Sequence, residues 1–213
     1  MRKKSLLIFM CVLYILSITE IEVHAGMIKT SVDFTDLKDM DVKTKLKIDK
    51  WLSAGLIQGV SENWFGLNET ITRAEFAKIV ALSIGVEIDP EVKTSSYKDV
   101  KADDLIYGYS LPYIEALRQA GVTNGTDIDR FDPAGEVTKE QFAVFLVRSL
   151  GIEAEAKQTQ DVTDQTVSAY AKGYVALALQ LFPYLRSEGA YHGSLPITRQ
   201  MVLLGLNDFT VRY

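Results

Sequence analysis

One cysteine and two histidines are all that the 213 residues offer of the side chains that most often ligate metals or attack carbonyls. The cysteine, Cys11, sits in an apolar run with Met10 before it and Val12 and Leu13 after it, not the flank of a lipid-attachment cysteine. A chain without a second cysteine has no disulfide framework and no Cys metal site. Of the histidines, His24 lies near the N-terminus and His192 stands alone between Tyr191 and Gly193, so no His cluster or Ser-His-Asp triad can be assembled. Basic charge is also short. With 23 Lys and Arg against 28 Asp and Glu the formal charge is −5, which makes nucleic acid and anionic membrane poor partners. An anionic ligand would have to be held by a few positioned cations.

Long apolar runs are limited to one, Leu6 to Ile18, preceded by Arg2, Lys3 and Lys4 and followed by Val23-His24-Ala25. This pattern reads as a secretory leader over residues 1–25, with an uncleaved anchor as the alternative; no second span follows, so stable membrane insertion is not expected. A chain of this size can bury roughly 70% of its unfolded surface without disulfide staples.

Carboxylates are plentiful, but Asp103, Asp104, Asp127, Asp129 and Asp132 share no helical face and read as turn formers, not as a glycosidase pair. The Asp127-x-Asp129-x-x-Asp132 spacing lacks the glycine and final glutamate of an EF-hand calcium loop. The expectation is a protein without catalytic activity, cofactor or metal.

What the chain does have is self-similarity. ITRAEFAKIVALSIGV from Ile71 returns as VTKEQFAVFLVRSLGI from Val137, with Thr72/Thr138, Phe76/Phe142, Val80/Leu146, Ser83/Ser149 and Gly85/Gly151 each 66 residues apart; a worn third copy starts at Ile197 as ITRQMVLLGL. Such repeats pack on their neighbours to bury a common core. Thr72 with Glu75 and Thr138 with Gln141 are capping-box pairs, each followed by an apolar stripe at i, i+3, i+4, i+7 and closed by Gly85 or Gly151. A second helix precedes each: Ile48, Trp51 and Leu52 before Gly55, and Tyr113, Ile114 and Leu117 before Gly121. Phe34-Thr35-Asp36 and Tyr97-Lys98-Asp99 open these units, the aspartate being expected to cap or turn the entry. In copy three the counterparts are Asp161, Tyr174, Val175 and Ala178, with Phe182-Pro183 where a glycine stop would stand. Glu87 to Ser95 and Glu153 to Gln160 read as linkers. The predicted fold is all-α, with helix-loop-helix units at 34–86, 97–152 and 159–208.

The capping boxes leave one position unexplained. The first helical residue is Arg73, Lys139 and Arg199 in the three copies, a cation set against the positive end of the helix dipole. Either these are surface cations or partners of a neighbouring copy's carboxylate, or each is an anion clamp that works with exposed helix amides.

FTDL, the Trp51 helix, GLIQG and ITRAEF together resemble a surface-layer homology (SLH) domain, whose signature ends in T-R-A-E; copy two, with YKDV, GVTNG, FDPAGEVTKEQFA and RSLG, is similar to it throughout. Copy three keeps Ile197-Thr198-Arg199 but has Gln200-Met201 in place of Ala-Glu, so its capping box is expected to be lost. The resemblance implies a pseudo-threefold helical bundle with carbohydrate grooves between units, attached non-covalently to a Gram-positive cell wall or S-layer. The implied partner is a secondary cell-wall polymer bearing a pyruvate ketal on N-acetylmannosamine. It assigns Arg73, Lys139 and Arg199 to the ketal carboxylate, Thr72, Thr138 and Thr198 to the same helix starts, Asp36, Asp99 and Asp161 to the opening aspartate, and Gly59 and Gly125 to the groove loop. Of the three cations Arg199 is the one expected to be impaired, because Phe182-Pro183 alters copy three. Trp51 reads as core; Trp64, in the polar SENWFG loop, is a candidate groove wall.

Little sequence flanks the three units, so a free-standing wall binder is expected. The alternative is an envelope assembly protein that recruits a protein partner through an exposed apolar patch on copy three, with Phe182, Tyr184, Leu195 and Leu203 as candidates.

Overall fold

The computed structural model describes residues 28–186 and 189–209, with side chains to residue 206, so the leader read at 1–25 lies outside the described residues. Seven α-helices carry the described chain: α1 Val42–Ser53, α2 Arg73–Ile84, α3 Leu111–Gln119, α4 Lys139–Ser149, α5 Glu153–Gln158, α6 Lys172–Leu181 and α7 Arg199–Phe209. Extended pairing among the described residues is confined to isolated bridges, and no helix there is long and apolar enough to cross a membrane.

Local chemistry sets the helix limits. Asp41 caps α1 by accepting the Thr44 amide at 3.0 Å, and the chain turns away at Gly55 with φ 67°. The hydroxyls of Thr72, Thr138 and Thr198 accept the third-residue amides of α2, α4 and α7 at 3.2, 3.4 and 3.4 Å. Copy three therefore keeps the hydroxyl half of its cap. The reciprocal bond, from the N-cap amide to the third side chain, is made by Gln141 in α4. The Glu153 to Gln160 linker contains a helix where a loop was expected. Its EAEAKQ sequence has high helix propensity, Glu153 pairs with Arg148 and Lys157 at 3.5 and 3.4 Å, and Ala156 is buried against α6.

The apolar stripes meet in one core. Phe76 of α2 stands edge-on to Phe142 and Phe145 of α4, with centroids 5.7 and 4.9 Å away, which locks the first two units together. Trp51 is buried, as its seam position predicts. Phe182 is fully buried as well and ends α6 before a 3-10 turn, Pro183–Leu185, so copy three replaces the glycine stop with a packed aromatic.

The segments just before α2, α4 and α7 join the units in a closed circuit. Thr72 bridges to Glu136, Thr138 to Pro196, and Thr198 to Thr70, so each N-cap pairs with the residue two before the N-cap of the next unit, and the third returns to the first. Ile71, Val137 and Ile197, between the paired positions, are buried. This circuit places the three helix starts, and with them the three cations, at the junctions between units.

Candidate functional site

Every amide of the first turn is already used. Arg73 and Ala74 donate to the carbonyls of Gly135 and Pro133, Lys139 and Glu140 to those of Leu195 and Gly193, and Arg199 and Gln200 to those of Glu69 and Leu67, all between 2.8 and 3.0 Å. The next amide in each helix goes to the capping threonine. The expected exposed amides are thus spent on holding units together, and a helix-terminus anion site of the usual kind is closed. The threonine hydroxyls are engaged by the amides three residues on in their own helices. What remains to meet a ligand is side chains.

Among the described residues, Arg73 and Arg199 each line a groove. Arg73, 2% exposed, faces a groove of about 490 Å3 formed by the Val122-Thr123-Asn124-Gly125-Thr126 loop, by Gln141, Val144, Phe145 and Arg148 of α4, and by Tyr170 from unit three. Arg199, 1% exposed, faces a groove of about 500 Å3 formed by the Leu56 to Val60 loop, by Glu75 and Lys78 of α2, and by Tyr109 and Tyr113 from unit two. Both volumes fall in the range of small-ligand sites, roughly 300–1,000 Å3. The construction is the same each time: the loop and second helix of one unit, an aromatic from the unit after it, and the cation of the unit before it.

That cyclic offset changes which unit each cation meets. Unit three is met by Lys139, through Tyr191 and Leu195, not by Arg73. Lys139 lines neither groove; its ammonium donates to the Tyr191 carbonyl and lies 4.6 Å from the centre of that ring. Burial pulls its pKa down, with Asp164 opposing.

The two buried guanidiniums are held differently. Arg73 donates Nε to the Phe131 carbonyl at 2.7 Å and Nη1 to the Gln141 side-chain oxygen at 3.2 Å, and its carbon lies 4.7 Å from the Phe131 ring centre. No carboxylate pairs with it within 4 Å among the described residues. Burial lowers its pKa, while Asp132, Tyr97 and Asp99 oppose; an arginine so placed stays cationic. Arg199 instead gives Nη1 to the Glu75 carboxylate and Nη2 to the Gln58 carbonyl, beside the Phe65 ring at 5.1 Å, and leaves Nε buried without a described partner. Glu75, read as half of a capping box, is turned away from Thr72 to make this pair.

The aspartates hold loops. Asp36 accepts the Phe65 and Gly66 amides, both at 2.8 Å, and Asp99 accepts those of Phe131 and Asp132 at 2.9 and 2.8 Å, so neither caps a helix nor faces a groove. In unit three the matching carboxylate is Asp164, which takes the Tyr191 amide, and not Asp161. The loop it holds confirms the alignment: Phe65, Phe131 and Tyr191 each precede their capping threonine by seven residues. Gly66, Asp132 and His192, next in line, all have φ between 55° and 75°.

Gly59 and Gly125 line their grooves because nothing larger fits beneath. A Cβ on Gly59 would lie 2.3 Å from the Phe34 ring, and one on Gly125 2.2 Å from the Arg130 carbonyl oxygen. Trp64 lines neither groove; it is half exposed and donates its indole N–H to Glu69 at 2.8 Å. The proposed apolar patch on unit three is absent as such: Phe182 and Leu203 are buried and Tyr184 is partly so, leaving Leu195 exposed.

Sequence reasoning missed the groove walls. Tyr109 and Tyr170 each lie in the 3-10 turn just before a first helix, one unit on from the groove loop they face, and only the circuit of bridges brings them there. Burial, with Glu75 near Tyr109 and Glu140 near Tyr170, pushes both phenols up to about 12, so each is a neutral hydrogen-bond donor at ordinary pH.

The S-layer homology domain profile matches residues 33–77 and 96–143, the first two units. The chain is 28% identical over 177 residues, 81% of its length, to the surface-layer 125 kDa protein of Lysinibacillus sphaericus, and 32% identical over 124 residues, 56% of its length, to a cell surface protein of Thermoanaerobacter kivui. It is also 26% identical over 162 residues, 74% of its length, to the exoglucanase XynX of Acetivibrio thermocellus. These stretches make up only 14%, 16% and 14% of those proteins, so the likeness is to a module that each contains.

Proposed function

From the premise that the chain belongs to the S-layer homology family through residues 33–77 and 96–143, we propose that it is a binding module that attaches non-covalently to the cell wall. The ligand is an anionic secondary wall polysaccharide, with a carboxylated sugar such as pyruvylated N-acetylmannosamine as the recognised unit. The relatives are named for the surface layer, the cell surface and an exoglucanase, and what they share with this chain is a stretch of 124 to 177 residues. The observation that carries the reading is Arg73: a guanidinium almost wholly removed from water, held by neutral acceptors and facing an open groove. Burying a charge without a counter-charge costs several kcal/mol, and a ligand carboxylate offsets that cost. Phenol, amide and loop groups around it suit the hydroxyls and acetamido group of a sugar. Two grooves on one polymer raise the effective concentration of the second contact.

Co-sedimentation of the chain with wall sacculi, before and after acid extraction of the secondary polymer, tests this. The chain should pellet with intact walls and stay in solution with extracted ones. Retention by extracted walls would point to peptidoglycan, and no binding to either would end the reading. The other function considered, recruitment of a protein partner through unit three, loses its main support with Phe182 and Leu203 packed inward.

A further inference from the structure

The outer face of α1 is open where its counterpart in unit two is packed. Lys50 aligns with Ala116 of α3, 66 residues on; Ala116 is buried and Lys50 is exposed. Helix packing differs in the same sense, since α2 packs along α3 and α4 along α6, whereas α7 touches α1 more sparsely among the described residues. Helical spacing sets Val42, Lys43, Leu46, Lys47 and Lys50 on this open face, at i, i+1, i+4, i+5 and i+8. Val42 is 73% and Leu46 63% exposed. The three ammonium groups pair with no carboxylate within 4 Å among the described residues. The nearby carboxylates are turned elsewhere, Asp41 to the Thr44 amide and Asp49 to the Ser31 amide. The face is therefore both apolar and basic.

A tip of the opposite charge stands in unit two. The offset between units one and two is 63 residues at Asp36 and Asp99 but 66 at Ile48 and Ile114, so unit two holds three extra residues ahead of α3. That segment contains Asp103-Asp104-Leu105-Ile106, with Leu105 fully exposed and Ile106 69% exposed. Asp104 fixes its shape: the carboxylate accepts the Ile106 and Tyr107 amides, both at 2.8 Å, and the carbonyl accepts the Gly108 amide at 3.0 Å. The Asp103 carboxylate is exposed and pairs with no cation within 4 Å among the described residues.

We propose that the open face of α1 is the docking site for the 103–106 tip of a second copy of this chain, with Leu105 seated at Val42 and Leu46 and the two aspartates beside Lys47 and Lys50. Single exposed apolar side chains are ordinary, but here they stand in two groups, each framed by charge of opposite sign, which is the arrangement that selects a partner. An anionic lipid surface would also meet lysines and leucine, yet the formal charge of −5 on the whole chain opposes that approach, whereas the tip brings its carboxylates locally. One helix face against one loop tip is a small interface, so the association is weak and reversible and grows with concentration. It is independent of what the grooves bind, because neither group lines them.

Sedimentation velocity of the full chain over a dilution series tests this. Wild type should pass from monomer to larger species as concentration rises. Lys50→Glu and Asp103→Lys should each weaken association about tenfold or more, the factor that ~1.4 kcal/mol produces. An equimolar mixture of these two variants should recover it, since each then offers the other a complementary charge. Leu105→Ser should weaken it without a change of charge. Thermal unfolding should be the same for all, because the side chains are exposed. A wild type that stays monomeric, association that the substitutions leave unchanged, or a mixture that fails to recover overturns the proposal. Flotation with phosphatidylglycerol vesicles that Lys50→Glu abolishes, in a chain that does not self-associate, would give the face to a lipid surface instead and overturn it as well.

Discussion

Arg199, the first residue of the last helix, is buried against Glu75, 124 residues earlier in the chain, and this ion pair closes the circuit of units. The two partners are not equally buried: the Arg199 side chain is 1% exposed and that of Glu75 29%. Removing Glu75 strands a buried cation, whereas removing Arg199 leaves a carboxylate that water can reach. Glu75→Ala should therefore destabilise the chain by about 3 kcal/mol, and Arg199→Met by less, about 1 kcal/mol. Urea denaturation of the two variants checks the order, and a larger loss for Arg199→Met would contradict the account of the pair.

The helices were legible because their signals are local. Threonine caps, the i, i+3, i+4 stripes and the closing glycines all act within a dozen residues, and copies 66 apart repeat them. Misreadings arose where a residue with a good local explanation has a distant partner. Asp36 and Asp99 look like helix caps, but their amides lie 29 to 33 residues on. Glu75 looks like half a capping box and is an inter-unit counter-ion. Which cation faces which loop depends on the direction in which the units close, and no pattern within one unit carries that direction. Copy three's departure was therefore assigned to Arg199, whereas the cation that meets unit three is Lys139.

Asp164 gives a pH signature. The Thr166 hydroxyl, then the Tyr191 and Thr166 amides, hold its pKa down at about 2, from a reference of 3.8. A depressed carboxylate pKa means that the ionised form stabilises the fold above the unfolded value, and that this contribution fades as pH falls through the folded one. Asp164→Asn should lower the melting temperature at pH 6, and the gap to wild type should close between about pH 4 and pH 2. An equal gap at both ends of that range would mean that the charge is not what matters.

Gly125 should be intolerant of any side chain. With φ at 83°, and a Cβ placed 2.2 Å from the Arg130 carbonyl oxygen and 2.7 Å from the Tyr97 ring, even alanine forces the groove loop outward. Gly125→Ala should cost about 1–3 kcal/mol in thermal or urea unfolding. Gly85, also at positive φ but with open space around its Cβ position, provides a control: Gly85→Ala carries the backbone strain without the collision. A Gly125→Ala loss no larger than that of Gly85→Ala would remove the steric argument.

The cations themselves should separate by position in the circuit. Replacing Arg73 by methionine removes the guanidinium but keeps an apolar stem between Phe131 and Phe145, and a buried ion exchanged for an apolar side chain of similar length often leaves stability little changed. Loss of wall binding by Arg73→Met would then report on the ligand, not on folding. Lys139→Met removes a cation whose ammonium is spent on the Tyr191 carbonyl and which lines neither groove, so it should lower stability by about 1 kcal/mol and leave wall binding as it was. Matched co-sedimentation of the two variants decides between the junctions. Equal losses from both would return Lys139 to the binding surface and contradict its placement outside the two grooves.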